Sequence, residues 1–422
     1  MPEITKTPGN NEGVQFDFKT LFINVAKKEI ADHQEYYNGK RHIKVKLCAD
    51  GAKYSRGCNF CLFSFSILRD GVVNLSSSNI HVIAAIRAKE DYESLADEFR
   101  DIFAAINFYL DDPAITINGN TYTLEFFLCA DYKLLLLIMG LKAASAEYSC
   151  LWCTVHKDDR YNMTLTHCPR SLSDLKGNGD FSNIHKPLLN LDLDHIIPDE
   201  LHLMLRVTDR LITALIQTAK SYDQHQHRLE RIRRAYKVLD GERIKNLIAA
   251  IRECGVYFNI YEDDESGKVE WPSLLGPDKL KLLKNLPDKL VGCQPPEMVP
   301  LTQNLWKDFD LIYSIVTSRM PTRHHQLRES TKKWINDYLD LGKEFKYGDF
   351  YYPDKVTPYM HLLCAHLSDF IDKYDNVKQF SCQGVEKKND VAKVLYHRKS
   401  DGDKEEEEKG DGKTVGKKKM RR

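Results

Sequence analysis

The stretch FFLCADYKLLLLIMGL, residues 126–141, is apolar almost throughout, yet Asp131 and Lys133 interrupt it. Burying one large aliphatic or aromatic side chain is worth roughly 1.5–3 kcal/mol, so such a segment belongs in a core. It falls short of the roughly 18 uninterrupted apolar residues that a membrane span needs. An ionised carboxylate in that setting is costly unless it is hydrogen-bonded or paired with a cation. Any fold of this chain therefore has to supply Asp131 with a partner. Two partners stand open from the residues alone: the backbone N–H groups of a helix that Asp131 caps, or a bound metal ion.

The segments before this run read as strands and turns. HIKVKLCAD (42–50) alternates and is expected to be a strand ending at Asp50, with Asp50-Gly51 opening a turn. CLFSFSIL (61–68) and NIHVIAAIRA (79–88) give two more strands, with Asp70-Gly71 as a turn between them. Residues 92–110 carry Leu95, Phe99, Ile102, Phe103 and Ile106 at the spacing of an amphipathic helix. A hairpin around Asn118-Gly119 follows, and its second strand runs to Asp131. KLLLLIMGLKAA (133–144) then reads as one buried helix. From about Leu193 to Gly348 the pattern is helical with few strand signals, and residues 357–374 and 380–400 read as helices too.

This order predicts an α+β fold: a mixed, ribonuclease-H-like sheet interrupted by a large all-helical insertion. The expected divisions are a polar, flexible leader with a short helix (1–40), the first part of the core (41–160), the insertion (161–350), a zinc-binding segment with a last helix (351–398), and a disordered charged tail (399–422). In such a sheet the first and fourth strands are neighbours, so Asp50 and Asp131 are expected to meet. Paired carboxylates repel, and divalent cations such as Mg²⁺ or Mn²⁺ relieve that repulsion. Glu386, in QGVEKKNDVAKV, is the candidate third acid.

Composition bounds the partners. The chain has 422 residues, 42% hydrophobic and 29% charged, as ordinary globular proteins do. Lys plus Arg equals Asp plus Glu at 61 each, so overall charge does not point to nucleic acid, and a DNA partner requires a local patch. HQHRLERIRRAYK (225–237) is the candidate patch. The start has no apolar signal core, which predicts an intracellular protein. Its eleven cysteines then read as buried thiols or metal ligands. GKKKMRR at the end reads as either a nuclear-import signal or a solvated charged terminus.

Cys150-Leu-Trp-Cys153 has the two-residue spacing with which two thiolates grip one Zn²⁺. Cys58 and Cys61 share that spacing, but Cys61 opens an apolar strand; the two pairs together would make a four-cysteine site. His156 and His167 lie near enough to supply a third ligand instead. The better partner is distant, His361-Leu-Leu-Cys-Ala-His366, which would complete a structural Cys₂His₂ site across the helical insertion.

With these residues assembled, the chain resembles the DDE transposases, in particular the Transib transposases and the related catalytic subunit of the V(D)J recombinase. The resemblance rests on LCADGAKY around Asp50, CADYKLL…SCLWC around Asp131, the H-x₄-H pair and GVEKKND around Glu386. Cys150 lies 19 positions after Asp131 and Glu386 lies 20 positions after His366, as in that family. Tyr132 departs from it, standing where the recombinase has another acid. The resemblance spans 44–400 in scattered motifs. It implies Asp50, Asp131 and Glu386 as ligands of two Mg²⁺ (or Mn²⁺) ions, a structural zinc, and His202 of PDELHLMLRV near the active site. It also implies DNA ends and target DNA as partners and a homodimer; the location is expected to be nuclear if GKKKMRR is an import signal and cytoplasmic if it is not. Trp306 or Trp334 would stack on a displaced base. Three rivals remain: a catalytically inactive, domesticated or truncated core that acts as a DNA- or protein-binding scaffold, a CACTA/Chapaev-like transposase, and a simple nuclease of ribonuclease-H type.

Overall fold

The computed structural model describes every residue except 1, 56, 166–167, 178, 231–234, 264–267, 319–323 and 412–422; the side chains of 324–325 and 398–411 are also outside it. The described chain is a mixed α+β protein with two compact units. One consists of Met1–Ala130 and Cys382–Arg422, and the other is Asp131–Ser381. The inserted unit thus takes in more chain than the expected 161–350 insertion.

In chain order the first unit contains β1 (Ile4–Lys6), β2 (Glu12–Phe16), α1 (Phe18–Asp32), α2 (Gln34–Tyr37), β3 (His42–Ser55), β4 (Cys58–Leu68), β5 (His81–Arg87), α3 (Tyr92–Glu98), α4 (Arg100–Asp111), β6 (Ala114–Ile117) and β7 (Asn120–Cys129). Its seven strands form one sheet in the order β1-β2-β5-β4-β3-β7-β6. β3 and β7 are parallel, with Cys48 opposite Cys129, and every other pairing is antiparallel. β3 lies inside the sheet, and Val45 to Ala49 are all buried. The β6–β7 turn has Asn118 and Gly119 at φ 50° and 78°, the left-handed pair that a tight two-residue hairpin demands.

Two expectations about this unit need correction. Asp50-Gly51 is not a turn: Asp50 pairs with Leu62 and Gly51 with Cys61, and the chain reverses near Gly57, at φ 80°. The longer hairpin is held by Tyr54 against Phe60, ring centroids 4.5 Å apart. Nor is the polar start a loose leader, since β2 pairs with β5 and β1 with β2. The turn between β1 and β2 is anchored by the fully buried Glu98, which accepts from Thr7 Oγ1 at 2.6 Å and from the Asn11 N–H at 2.7 Å.

The second unit contains α5 (Tyr132–Ile138), α6 (Leu172–Lys176), α7 (Glu200–Leu229), α8 (Glu242–Glu253), the two-strand ribbon β8 (Tyr261–Glu262) and β9 (Val269–Glu270), α9 (Gly276–Asn285), α10 (Val299–Val316), α11 (His324–Glu344), α12 (Pro358–Ala365) and α13 (Leu367–Tyr374). The long apolar run does not make one long helix. α5 stops at Ile138 because Gly140 turns the chain at φ 75°, where an added Cβ would lie 2.1 Å from the His185 carbonyl oxygen. Trp306 and Trp334 are fully buried, and Trp334 Nε1 donates to Leu305 O at 3.0 Å. Neither presents a face for stacking on a base.

The chain then re-enters the first unit as α14 (Gln383–Asp411). Its backbone covers the start of the expected disordered tail; GKKKMRR lies outside the described residues. No helix among the described residues is long and apolar enough to cross a membrane.

Candidate metal centre and acidic residues

Among the described residues one group of side chains is arranged to hold a metal ion: Cys150, Cys153, His361 and His366, whose ligand atoms all lie within 4.8 Å of one another. Cys150 Sγ is 3.4 Å from His366 Nε2, and Cys153 Sγ is 3.4 Å from His361 Nε2. Zinc with Zn–S near 2.3 Å and Zn–N near 2.05 Å in tetrahedral geometry implies an S···N separation of about 3.6 Å. The four side chains therefore form a Cys₂His₂ cluster suited to a metal such as zinc. His156 stands outside this group, and His167 lies outside the described residues. Cys58 and Cys61 are buried thiols of β4 in the first unit, and neither belongs to this group.

The H-x₄-H spacing works because α12 ends. Two residues five apart on a continuous helix would point about 140° away from each other. Here His361 lies within α12, while His366 is its C-cap, at φ −125°, and turns back toward the thiols. His361 is set further by its Nδ1, 3.1 Å from the Arg160 carbonyl oxygen, which leaves Nε2 to face Cys153.

Two buried arginines, which the motifs do not mark, hold the cysteine loop. Arg170 donates from Nε to the carbonyls of Cys150 (2.8 Å) and Cys153 (3.0 Å), and from Nη2 to those of Tyr148 and Phe181 (both 2.8 Å). Arg160 donates to Ala144 O, Ala146 O and Ser149 Oγ. Their spacing follows no metal-site pattern, so nothing short of the fold distinguishes them from surface arginines. Burial pushes the Cys150 thiol up, but its hydrogen bond with Cys153 and the two histidines outweigh this and hold it well below its ordinary value. Cys153 moves the opposite way, raised first by that same hydrogen bond and then by burial. One thiol of the pair thus gives up its proton first, and a cation in the cluster would favour the thiolate of both.

Asp131 is the first residue of the second unit and the N-cap of α5: its Oδ1 accepts from the Leu134 N–H at 2.7 Å. Lys133 is exposed on the same turn. The next N–H, that of Tyr132, donates to Tyr359 Oη at 3.2 Å, two residues before His361. The Tyr132 hydroxyl donates to Ser149 O at 2.8 Å, next to Cys150. Burial first, and then the charge of Asp131, push the Tyr359 hydroxyl well above its ordinary value. The backbone around Asp131 is thereby tied to both halves of the metal centre.

In the first unit, Asp50 sits on β3 where the strand leaves the buried core. Asn389 of α14 donates from Nδ2 to Asp50 Oδ2. Glu386 precedes Asn389 by three residues, in the first turn of α14, so the two share a helix face. His202, in the first turn of α7, has its Nδ1 2.6 Å from Asp199 Oδ2, and the same oxygen accepts the His202 N–H at 3.0 Å. Of the 225–237 patch, residues 231–234 lie outside the described residues, and His225 Nε2 is 3.1 Å from Lys346 Nζ.

No family model matches the chain, and no curated protein matches it.

Proposed function

We propose that this chain is the core of a DDE-type DNA transposase or recombinase with a ribonuclease-H-like sheet. The observation that carries the reading is the register of β3 with β7: the strands run parallel, Cys48 is opposite Cys129, and each cysteine is two residues before one of the acids Asp50 and Asp131. Antiparallel β3, β4 and β5, with β7 parallel beside β3, is also the neighbour relation expected of first and fourth strands in such a sheet. Asn389 of α14 adds support, because it joins the helix that carries Glu386 to Asp50 within one unit.

In this reading Asp50, Asp131 and Glu386 hold Mg²⁺ or Mn²⁺. Their oxygens suit hard cations, and a carboxylate has about four lone-pair sites. Bound ions would supply charge neutralisation at the scissile phosphate and a more acidic attacking water. The protein's part is to fix the acids. The α5 N-terminus orients Asp131, Asn389 orients Asp50, and the Cys₂His₂ cluster acts as a closed structural zinc site, with four protein ligands and no open position. His202, oriented by Asp199, is the proposed donor toward substrate. DNA ends and target are the proposed partners, a homodimer the proposed assembly, and the nucleus the proposed location.

Cleavage of supercoiled plasmid in Mg²⁺ or Mn²⁺ tests this. Nicking by the protein, abolished by Asp50→Ala and by Glu386→Gln, is expected. Absence of nicking with DNA binding retained would replace the reading with that of an inactive scaffold.

A further inference from the structure

Asn389 is 3% exposed, and its side chain is only half satisfied. Nδ2 donates to Asp50 Oδ2, while Oδ1 is buried with no hydrogen-bond partner. A buried acceptor left unpaired is costly, and a hydrogen bond serving structure alone gives no reason to keep it. The placement is enforced from the other side of α14, where Gly384 lies so close to Leu75 and Ile80 that an added Cβ would be 3.3 Å from the Leu75 carbonyl oxygen and Ile80 Cγ1. That close approach turns the face with Glu386 and Asn389 toward β3. A carboxamide oxygen beside one carboxylate, with a second carboxylate one turn earlier, is the hard-oxygen donor set that Mg²⁺ and Mn²⁺ take.

Resting on the divalent-cation reading above, we propose that Asn389 is a further ligand of that site. Its Oδ1 takes the ion, or a water of the ion, while its Nδ2 positions Asp50. The site within the first unit is then Asp50, Glu386 and Asn389, and the orphaned oxygen is the position that the cation completes.

The test is Mn²⁺ binding to the zinc-loaded 422-residue chain, followed by the electron paramagnetic resonance of free Mn²⁺ and by the Mn²⁺-induced rise in Tm. Asn389→Ala is expected to weaken Mn²⁺ binding roughly tenfold to a hundredfold, the range seen when residues supporting a metal site are lost. Asn389→Asp is expected to bind at least as tightly as the parent and to show a larger Mn²⁺-induced rise in Tm. In that variant the cation relieves the repulsion between residue 389 and Asp50. If both variants bind Mn²⁺ as the parent does while Asp50→Ala does not bind it, Asn389 is structural and this inference is overturned, but the acidic site stands. If Asp50→Ala also binds Mn²⁺ like the parent, the cation site itself is wrong.

Discussion

At the scale of single residues, this protein places carboxylates in apolar surroundings and gives each a specific partner. Glu98 anchors a turn, Asp131 caps a helix, and Glu200, 1% exposed, accepts from the Tyr313 hydroxyl at 2.9 Å with Lys378 Nζ 3.6 Å away. Burial, and then the charge of neighbouring Asp199, raise the Glu200 carboxyl from its ordinary value despite Lys378 and the hydroxyls of Tyr313 and Ser381. An acid whose folded pKa is raised stabilises the fold below its unfolded pKa and loses that contribution as pH rises through the folded value. Glu200→Gln is therefore expected to melt higher than the parent at pH 7, and thermal melts from pH 4 to 8 should show the gap closing toward acid. A variant that melts lower than the parent at pH 7 would mean that the Lys378 pair dominates. The residue pattern made Asp131 legible as an oddity because a charge in an apolar run has few solutions. It could not separate a cap from a metal ligand, since both need only a carboxylate at the start of a helix.

At the scale of elements, helix ends and loop anchors are set by side chains far away in sequence. α8 starts at Gly241, which has no capping side chain, and Asp223 of α7 replaces it by accepting the N–H groups of Arg243 and Ile244, both at 3.1 Å. Asp223→Ala should cost about 1–2 kcal/mol, the usual worth of an N-cap, read as a lowered midpoint in urea denaturation. Unchanged stability would show that water serves those groups equally well. Arg170 gathers four carbonyls around the cysteine loop, so Arg170→Ala should loosen metal binding there roughly tenfold or more, measured by competition with a zinc chelator. A parent-like zinc affinity would contradict that role. These devices explain which elements the sequence showed. Hairpins with Asn-Gly and helices with 3.6-residue periodicity are local, and they stood out. The β1–β2 hairpin did not, because its stability comes from Glu98, some 90 residues on, and from pairing with β5. The Asp50-Gly51 turn failed for the converse reason: the β4 partner extends the strand past a dipeptide that would otherwise turn.

At the scale of the molecule, one compact unit is formed from two separate stretches of chain and the other lies between them in sequence. Asp131 is the first residue of the inserted unit, and Glu386 follows the return of the chain by four residues. The Cys₂His₂ cluster joins residues more than 200 apart within that unit, so metal bound there acts as a cross-link between its first and last segments. A metal at a thousandfold excess over its Kd adds about 4 kcal/mol to the folded state. Stripping the protein with a strong chelator should thus lower its Tm, and Cys150→Ser should melt low and not respond to chelator. A parent protein without bound zinc, or one indifferent to chelator, would contradict the cluster's structural role. The spacing of those ligands was legible because metal geometry restricts it, whereas the arginines behind them obey no spacing rule. If Asp131 serves chemistry as well as the helix it caps, Asp131→Asn separates the two roles, because Asn caps a helix about as well as Asp. The decisive measurement is nicking of supercoiled plasmid by zinc-loaded Asp131→Asn protein beside the parent, with Tm recorded on the same samples. An unchanged Tm and no nicking by the variant are expected where the parent nicks in Mg²⁺ or Mn²⁺. Nicking by the variant at the parent's rate would reduce Asp131 to a helix cap.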